Sequence, residues 1–64
     1  MKLNGEIFSL SAPVALRELL EQHGYHTLRI AVERNGDIVP KSDYDTTMIT
    51  DEDVLEVVSF VGGG

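Results

Sequence analysis

The stretch Val54-Leu55-Glu56-Val57-Val58-Ser59-Phe60-Val61, which runs directly into Gly62-Gly63-Gly64, decides the fold of this chain. Its aliphatic and aromatic residues are typical of a β-strand, and alternate residues of a strand face opposite sides of the sheet. A charged side chain is almost never buried without a partner, so Glu56 marks its own set as the outer face. We therefore predict a strand from Val54 to about Val61. The inward set is Leu55, Val57 and Ser59.

The outward set of this strand predicts a docking patch. Val58 and Phe60 would lie on an open sheet surface just before the glycines, and an exposed aromatic-aliphatic pair is typical of a protein-binding surface. Ile7, Ala31 and Arg29 would extend the patch if the first and last strands lie side by side. Alternatively, Phe60 folds over the sheet edge as peripheral core.

The three terminal glycines predict a flexible tail, 62–64, behind a folded domain, 1–61. Glycine has no Cβ and moves freely, and three extended residues span about 10 Å. The carboxylate of Gly64 could thus enter the narrow active site of another enzyme, which suits a group carrier. The alternatives are an ordinary disordered terminus and a leftover linker.

Size and composition narrow the class of protein. The chain has 64 residues, no Cys and a net charge of −6. It is short enough to be a single domain, and its stability depends on the apolar core alone. The negative charge argues against nucleic acid and anionic membranes, and it fits either docking on a positively charged partner or simple solubility. We find no signal peptide or membrane-span pattern and expect a cytoplasmic protein.

Two Asn-Gly pairs predict β-hairpins. Asn4-Gly5 would join two short strands in which Leu3 pairs with Glu6. Asn35-Gly36 would join a strand over Leu28–Glu33 to a short edge strand that ends at Pro40. Leu28, Ile30 and Val32 are expected to point inward.

One amphipathic helix is expected between the hairpins. Pro13 suits its first turn, with Ser11 as the preferred cap, and Gly24 suits its end. The segment Lys41–Thr50 is expected to be irregular, with a short helical turn, and is followed by an acidic turn. The order of strand, strand, helix, strand, short strand and strand predicts an α+β domain. Its single main helix packs on one face of a mixed sheet.

No residue pattern predicts catalysis. There is no Cys nucleophile, and no helix follows the glycines to form a phosphate-binding loop. His23 is expected at the end of the helix, and His26 in a loop. The acidic residues do not follow a calcium-loop spacing. We therefore expect no catalytic residue, no bound metal and no bound cofactor.

In order along the chain, these motifs resemble the ThiS-type sulfur carriers of the ubiquitin-like β-grasp family. The resemblance spans almost the whole chain. It includes Asn4-Gly5-Glu6, the helix Leu16-Arg17-Glu18-Leu19-Leu20, the hairpin Ile30–Pro40, the strand Val54–Val58, and the terminal Val61-Gly62-Gly63-Gly64. Tyr44 stands where an aromatic residue, often Trp, is common in the family. Glu52 departs from the family pattern, which often has glycine in this turn.

The resemblance implies a carrier that is a substrate of its partner enzymes. A ubiquitin-activating-enzyme-like adenylyltransferase would use ATP and magnesium to adenylate Gly64. A sulfur donor, supplied by a cysteine desulfurase, would then convert it to a thiocarboxylate for thiazole synthase. Gly62 and Gly63 would give clearance for threading into these enzymes. The carrier alone is expected to be a monomer.

Two other functions remain open at this point. The chain could carry sulfur for another pathway, such as molybdopterin synthesis, amino acid synthesis or tRNA thiolation. It could also be a ubiquitin-like interaction module or a modifier that is attached to lysines of other proteins.

Overall fold

A computed structural model describes residues 1–60 of the chain. In this range a five-stranded sheet, a two-stranded sheet and an α-helix form the fold. The elements in chain order are β1 Lys2–Leu3, β2 Glu6–Ile7, β3 Val14–Ala15, α1 Leu16–Gln22, β4 Ile30–Arg34, β5 Asp37–Val39, β6 Met48–Ile49 and β7 Val54–Ser59. Short 3₁₀ turns cover Thr27–Arg29 and Lys41–Asp43.

The last strand lies in the middle of the main sheet. The strand order is β2-β1-β7-β4-β5, in which β7 pairs parallel with β1 and antiparallel with β4. The expected mixed sheet is therefore confirmed, and so is the adjacency of the first and last strands. The strand ends at Ser59, earlier than predicted. Val61 and the predicted domain boundary after it lie outside the described residues.

Both hairpins form where the Asn-Gly pairs predict them. Asn4 and Gly5 have φ of 51° and 85°, and Asn35 and Gly36 have φ of 52° and 89°. Positive φ at both central residues is what a type I′ turn requires. In the first hairpin Leu3 pairs with Glu6, as expected.

The helix starts later than predicted, so Ser11 is not its cap. The segment before it forms β3, which pairs antiparallel with β6, a strand that the sequence did not predict. The N-cap position is taken by Ala15, which makes no side-chain capping bond. Instead, the Leu16 N–H donates to the Thr47 carbonyl at 2.8 Å and the Arg17 N–H donates to the Tyr44 carbonyl at 3.0 Å. A distant loop thus satisfies N–H groups that a local cap would otherwise serve.

Gly24 terminates the helix, as predicted: α1 ends at Gln22, His23 is its C-cap and Gly24 follows. Gly24 has φ of 81°, its N–H donates to the Glu21 carbonyl, and the Tyr25 N–H donates to the Leu20 carbonyl at 2.9 Å. These two bonds define a Schellman motif. No helix within residues 1–60 is long and apolar enough to cross a membrane.

The core lies between the helix and one face of the main sheet. Its buried apolar residues are Met1, Leu3, Leu16, Leu19, Leu20, Ile30, Val32, Tyr44, Ile49, Leu55 and Val57. The prediction that Leu28 points inward is wrong, because the 3₁₀ turn Thr27–Arg29 interrupts the alternation and leaves Leu28 73% exposed. Ile30 and Val32, which lie beyond that turn, are buried as predicted.

Candidate functional site

The predicted reactive tail, residues 62–64, begins two positions after Phe60, the last described residue. Gly62, Gly63 and Gly64 lie outside residues 1–60. The Phe60 N–H donates to the Arg29 carbonyl at 2.7 Å, which prolongs the pairing of β7 with the start of the neighbouring strand β4. The site is therefore built around the end of the central strand.

Four of the five predicted docking residues lie together at this end of the sheet. Val58 pairs with Ala31 across β7 and β4, and Phe60 lies beside Arg29. Val58 is 60% exposed and Phe60 is 55% exposed, so neither side chain belongs to the core. We call Val58, Phe60, Ala31 and Arg29 the tail-side patch. Its apolar surface is available to another protein.

The fifth predicted residue, Ile7, lies elsewhere on the same face. It pairs with Lys2, which in turn lies opposite Val54 at the start of β7. Val54 is four residues from Val58, or about 13 Å along the strand. Ile7 is 81% exposed, but the structure does not bring it to the tail-side patch. The prediction failed to allow for the length of β7 between the two ends of the face.

An acidic pair lies between the two apolar regions of this face, which are the tail-side patch and the end of the sheet that carries Ile7 and Val54. Glu33 of β4 is directly opposite Glu56 of β7, and both side chains are exposed. The sequence marks Glu56 as outward-facing but does not by itself reveal its partner. The alternation of the strand, with Ile30 and Val32 inward, places Glu33 outward, but its position opposite Glu56 is set by the register of β4 with β7.

Asn4 has a structural role that its turn signal did not reveal. The Val57 N–H donates to Asn4 Oδ1 at 2.7 Å, and Asn4 Nδ2 donates to the Val57 carbonyl at 3.1 Å. The side chain thereby continues the hydrogen bonding of the two-residue strand β1 along β7. The central strand is held on both sides as it approaches the tail.

The far end of β7 is fixed by a buried carboxylate, Asp53. It accepts hydrogen bonds from the Thr50 N–H at 2.8 Å, Asn35 Nδ2 at 2.9 Å and Arg34 at 3.2 Å. Burial would raise the pKa of the Asp53 carboxyl, but these bonds together outweigh it and the pKa is lowered. The Val54 N–H also donates to Asn35 Oδ1 at 2.9 Å. This cluster anchors the start of β7, at the opposite end of the strand from Ser59.

The histidines show no arrangement typical of catalysis. His23 lies at the helix end with its ring edge-on to Phe8, at 4.8 Å between ring centroids. His26 is exposed beside the 3₁₀ turn. Among residues 1–60, no three His, Cys, Asp or Glu side chains are grouped so that they could hold a metal ion.

Comparison with known proteins identifies a matching family and several relatives of this chain. The model of the ThiS family matches residues 1–64. The sulfur carrier protein ThiS of Bacillus subtilis is 39% identical over 49 residues, which cover 77% of this chain and 74% of that protein. A thiazole synthase of Paramagnetospirillum magneticum is 45% identical over 62 residues, which are 97% of this chain but only 19% of that protein.

A solved structure shows the same fold. The crystal structure of the thiamine biosynthesis protein ThiS from Geobacter metallireducens has a TM-score of 0.79 and 27% sequence identity. The match covers 98% of this chain and 96% of that one, and it supports the ubiquitin-like β-grasp architecture. Since the family model also matches from the first residue to Gly64, the chain belongs to the ThiS family.

Proposed function

We propose that this protein carries sulfur for the thiazole ring of thiamine and acts as a substrate of its partner enzymes rather than as a catalyst. The observation that carries the proposal is the family match over all 64 residues, which includes the terminal Gly63-Gly64. The Bacillus subtilis relative that is named a sulfur carrier supports it. We expect the protein to act in the cytoplasm.

Activation at Gly64 follows from the chemistry of a carboxylate. A resting carboxylate is a poor electrophile, so the proposal assigns its activation to a partner enzyme. A partner adenylyltransferase would catalyse attack of the Gly64 carboxylate on the α-phosphate of ATP, with pyrophosphate as the leaving group and magnesium bound to the nucleotide. The terminal sulfur of a persulfide, supplied by a donor such as a cysteine desulfurase, would then attack the acyl carbon and displace AMP. A thiol reductant would cleave the S–S bond of the resulting acyl disulfide and release the thiocarboxylate.

The tail-side patch supplies a surface for the adenylyltransferase. Val58 and Phe60 are exposed apolar side chains at the point where the chain runs towards Gly64. Exposed aromatic residues that become buried on binding often dominate the affinity of an interface. Docking there would place Gly62 and Gly63 at the entrance to the active site, where a side chain would obstruct threading.

Thiazole synthase is the proposed acceptor of the sulfur. Two relatives that match nearly the whole of this chain are named thiazole synthases, from Paramagnetospirillum magneticum and Magnetococcus marinus. The chain corresponds to 19% of the length of each. A carrier-like segment in proteins of that name favours thiamine over the other sulfur pathways.

Adenylation tests the proposal directly. The purified chain is incubated with the adenylyltransferase of the same organism, ATP and labelled pyrophosphate, and exchange of label into ATP is measured. We expect exchange that depends on the chain and is lost when Gly64 is deleted. Gly63→Val should retain the stability of the fold yet lose exchange, because a branched side chain obstructs threading.

The absence of exchange is informative only if the adenylyltransferase is known to be active. The adenylyltransferase is first shown to catalyse exchange with another ThiS-family protein. If it does so and this chain supports no exchange, the proposed function is wrong. If the Gly64 deletion supports exchange as well as the full chain, the reactive group lies elsewhere.

A further inference from the structure

The outer face of the main sheet carries two glutamates in direct register, Glu33 and Glu56, between its two apolar regions. Like charges directly opposite each other across two strands destabilise a sheet. None of the ion pairs within residues 1–60 includes either glutamate. Lys2 of β1 lies on the same face, opposite Val54 and therefore diagonally across from Glu56.

Protection of a sheet edge does not explain this pair. Charged residues on edge strands prevent unwanted pairing with other chains. However, β7 is the central strand of the sheet and β4 is covered on its other side by β5. Both glutamates therefore lie in the interior of the exposed face.

The surroundings of the pair are apolar along β7 in both directions. Val58 and Ala31 form the next outward pair towards the tail, and Val54 is the next outward residue towards the start of the strand. Val58 and Val54 are both exposed. A protein that covered this face would thus bury the two carboxylates as well, which is unfavourable unless it brings a cation to them.

We propose that this face binds a partner protein that inserts an arginine or lysine side chain between Glu33 and Glu56 while an apolar side chain packs on Val58 and Ala31. The inference rests on the proposed function, and the partner is the adenylyltransferase. Cβ atoms of directly opposed residues are about 5 Å apart, so one guanidinium group can contact both carboxylates. The net charge of −6 also favours approach of a basic surface.

The double variant Glu33→Gln/Glu56→Gln tests this pairing. Adenylation rates are measured over a range of carrier concentrations at low and high salt. We expect the KM for the carrier to rise by about tenfold at low salt, with kcat unchanged and most of the salt dependence of KM lost. Thermal unfolding should show equal or greater stability, because the repulsion between the two carboxylates is removed.

Glu18→Gln/Glu21→Gln is the matched control, since it removes the same charge from the helix, on the other side of the sheet. Its KM should change by about twofold or less. If the KM of Glu33→Gln/Glu56→Gln changes no more than that of this control, the inference is wrong. The proposed function would still stand in that case, provided that the wild-type chain is adenylated. If a competent adenylyltransferase does not act on the wild-type chain, the proposed function fails and this inference fails with it.

Discussion

The position of Phe60 decides whether its side chain serves in docking or in core packing. Its side chain is exposed, whereas its backbone N–H completes the pairing with β4. We expect Phe60→Asp to leave the free energy of unfolding almost unchanged and to weaken binding to the adenylyltransferase by about 1–2 kcal/mol. Urea unfolding and the KM of adenylation measure the two effects.

Ile7→Asp is the matched control for Phe60→Asp. Ile7 is exposed on the same face but lies at the other end of it, next to Lys2. Ile7→Asp should change the KM of adenylation much less than Phe60→Asp does. A Phe60→Asp protein that unfolds at ordinary temperature would show instead that Phe60 belongs to the core.

Asp53 links stability to pH. Because hydrogen bonds lower its pKa in the folded state, its contribution is fully present above the unfolded pKa of about 3.9 and is lost as pH falls through the folded pKa. Asp53→Asn should lower the free energy of unfolding at neutral pH by about 1–3 kcal/mol. It should also make stability less dependent on pH below about 4.

Urea unfolding from neutral pH to about pH 2 checks this prediction. Glu52→Gln, one residue earlier and exposed, is the control and should behave like the wild-type chain. Some acid sensitivity should persist in Asp53→Asn, because the Leu10 N–H and the Met1 ammonium group lower the pKa of Asp51. If Asp53→Asn unfolds with the wild-type pH dependence, the buried carboxylate is not the group that makes stability depend on pH.

Among the individual elements, the end of the helix allows a specific prediction about the stability of Gly24 variants. Gly24 has positive φ, and no atom lies within 4 Å of the place where a Cβ would stand. Gly24→Ala should therefore destabilise the protein by about 1–2 kcal/mol through backbone conformation alone. Gly24→Asn should cost less, because asparagine tolerates this conformation. Equal stability of the alanine variant and the wild-type chain in urea unfolding would contradict this account.

The sequence predicted those elements whose signals are local. Asn-Gly pairs specify both hairpins, Gly24 ends the helix, and Glu56 orients the central strand. The start of the helix could not be predicted in the same way. Its N–H groups are satisfied by the carbonyls of Tyr44 and Thr47, which are about 30 residues away in the chain. Ser11 offered a local cap, but the pairing of β3 with β6 moved the start of the helix beyond it.

At the scale of the whole molecule, the topology was predictable and the site only partly so. One helix and an apolar last strand fix a mixed sheet that is covered on one face, and the comparisons confirm the predicted fold and family. The separation of Ile7 from Phe60 and the opposition of Glu33 to Glu56 depend on register between strands that are distant in the sequence. The reactive role of Gly64 stays a prediction.

Loading of the C-terminal carboxyl group with sulfur is the step on which the proposed function depends most. Intact-mass measurement tests it after incubation with the adenylyltransferase, ATP, magnesium and a sulfur donor system that is active on another ThiS-family protein. We predict that the mass rises by the difference between one sulfur and one oxygen atom, and that fragmentation locates the change at Gly64. An unchanged mass, or a change located at any other residue, would contradict the claim.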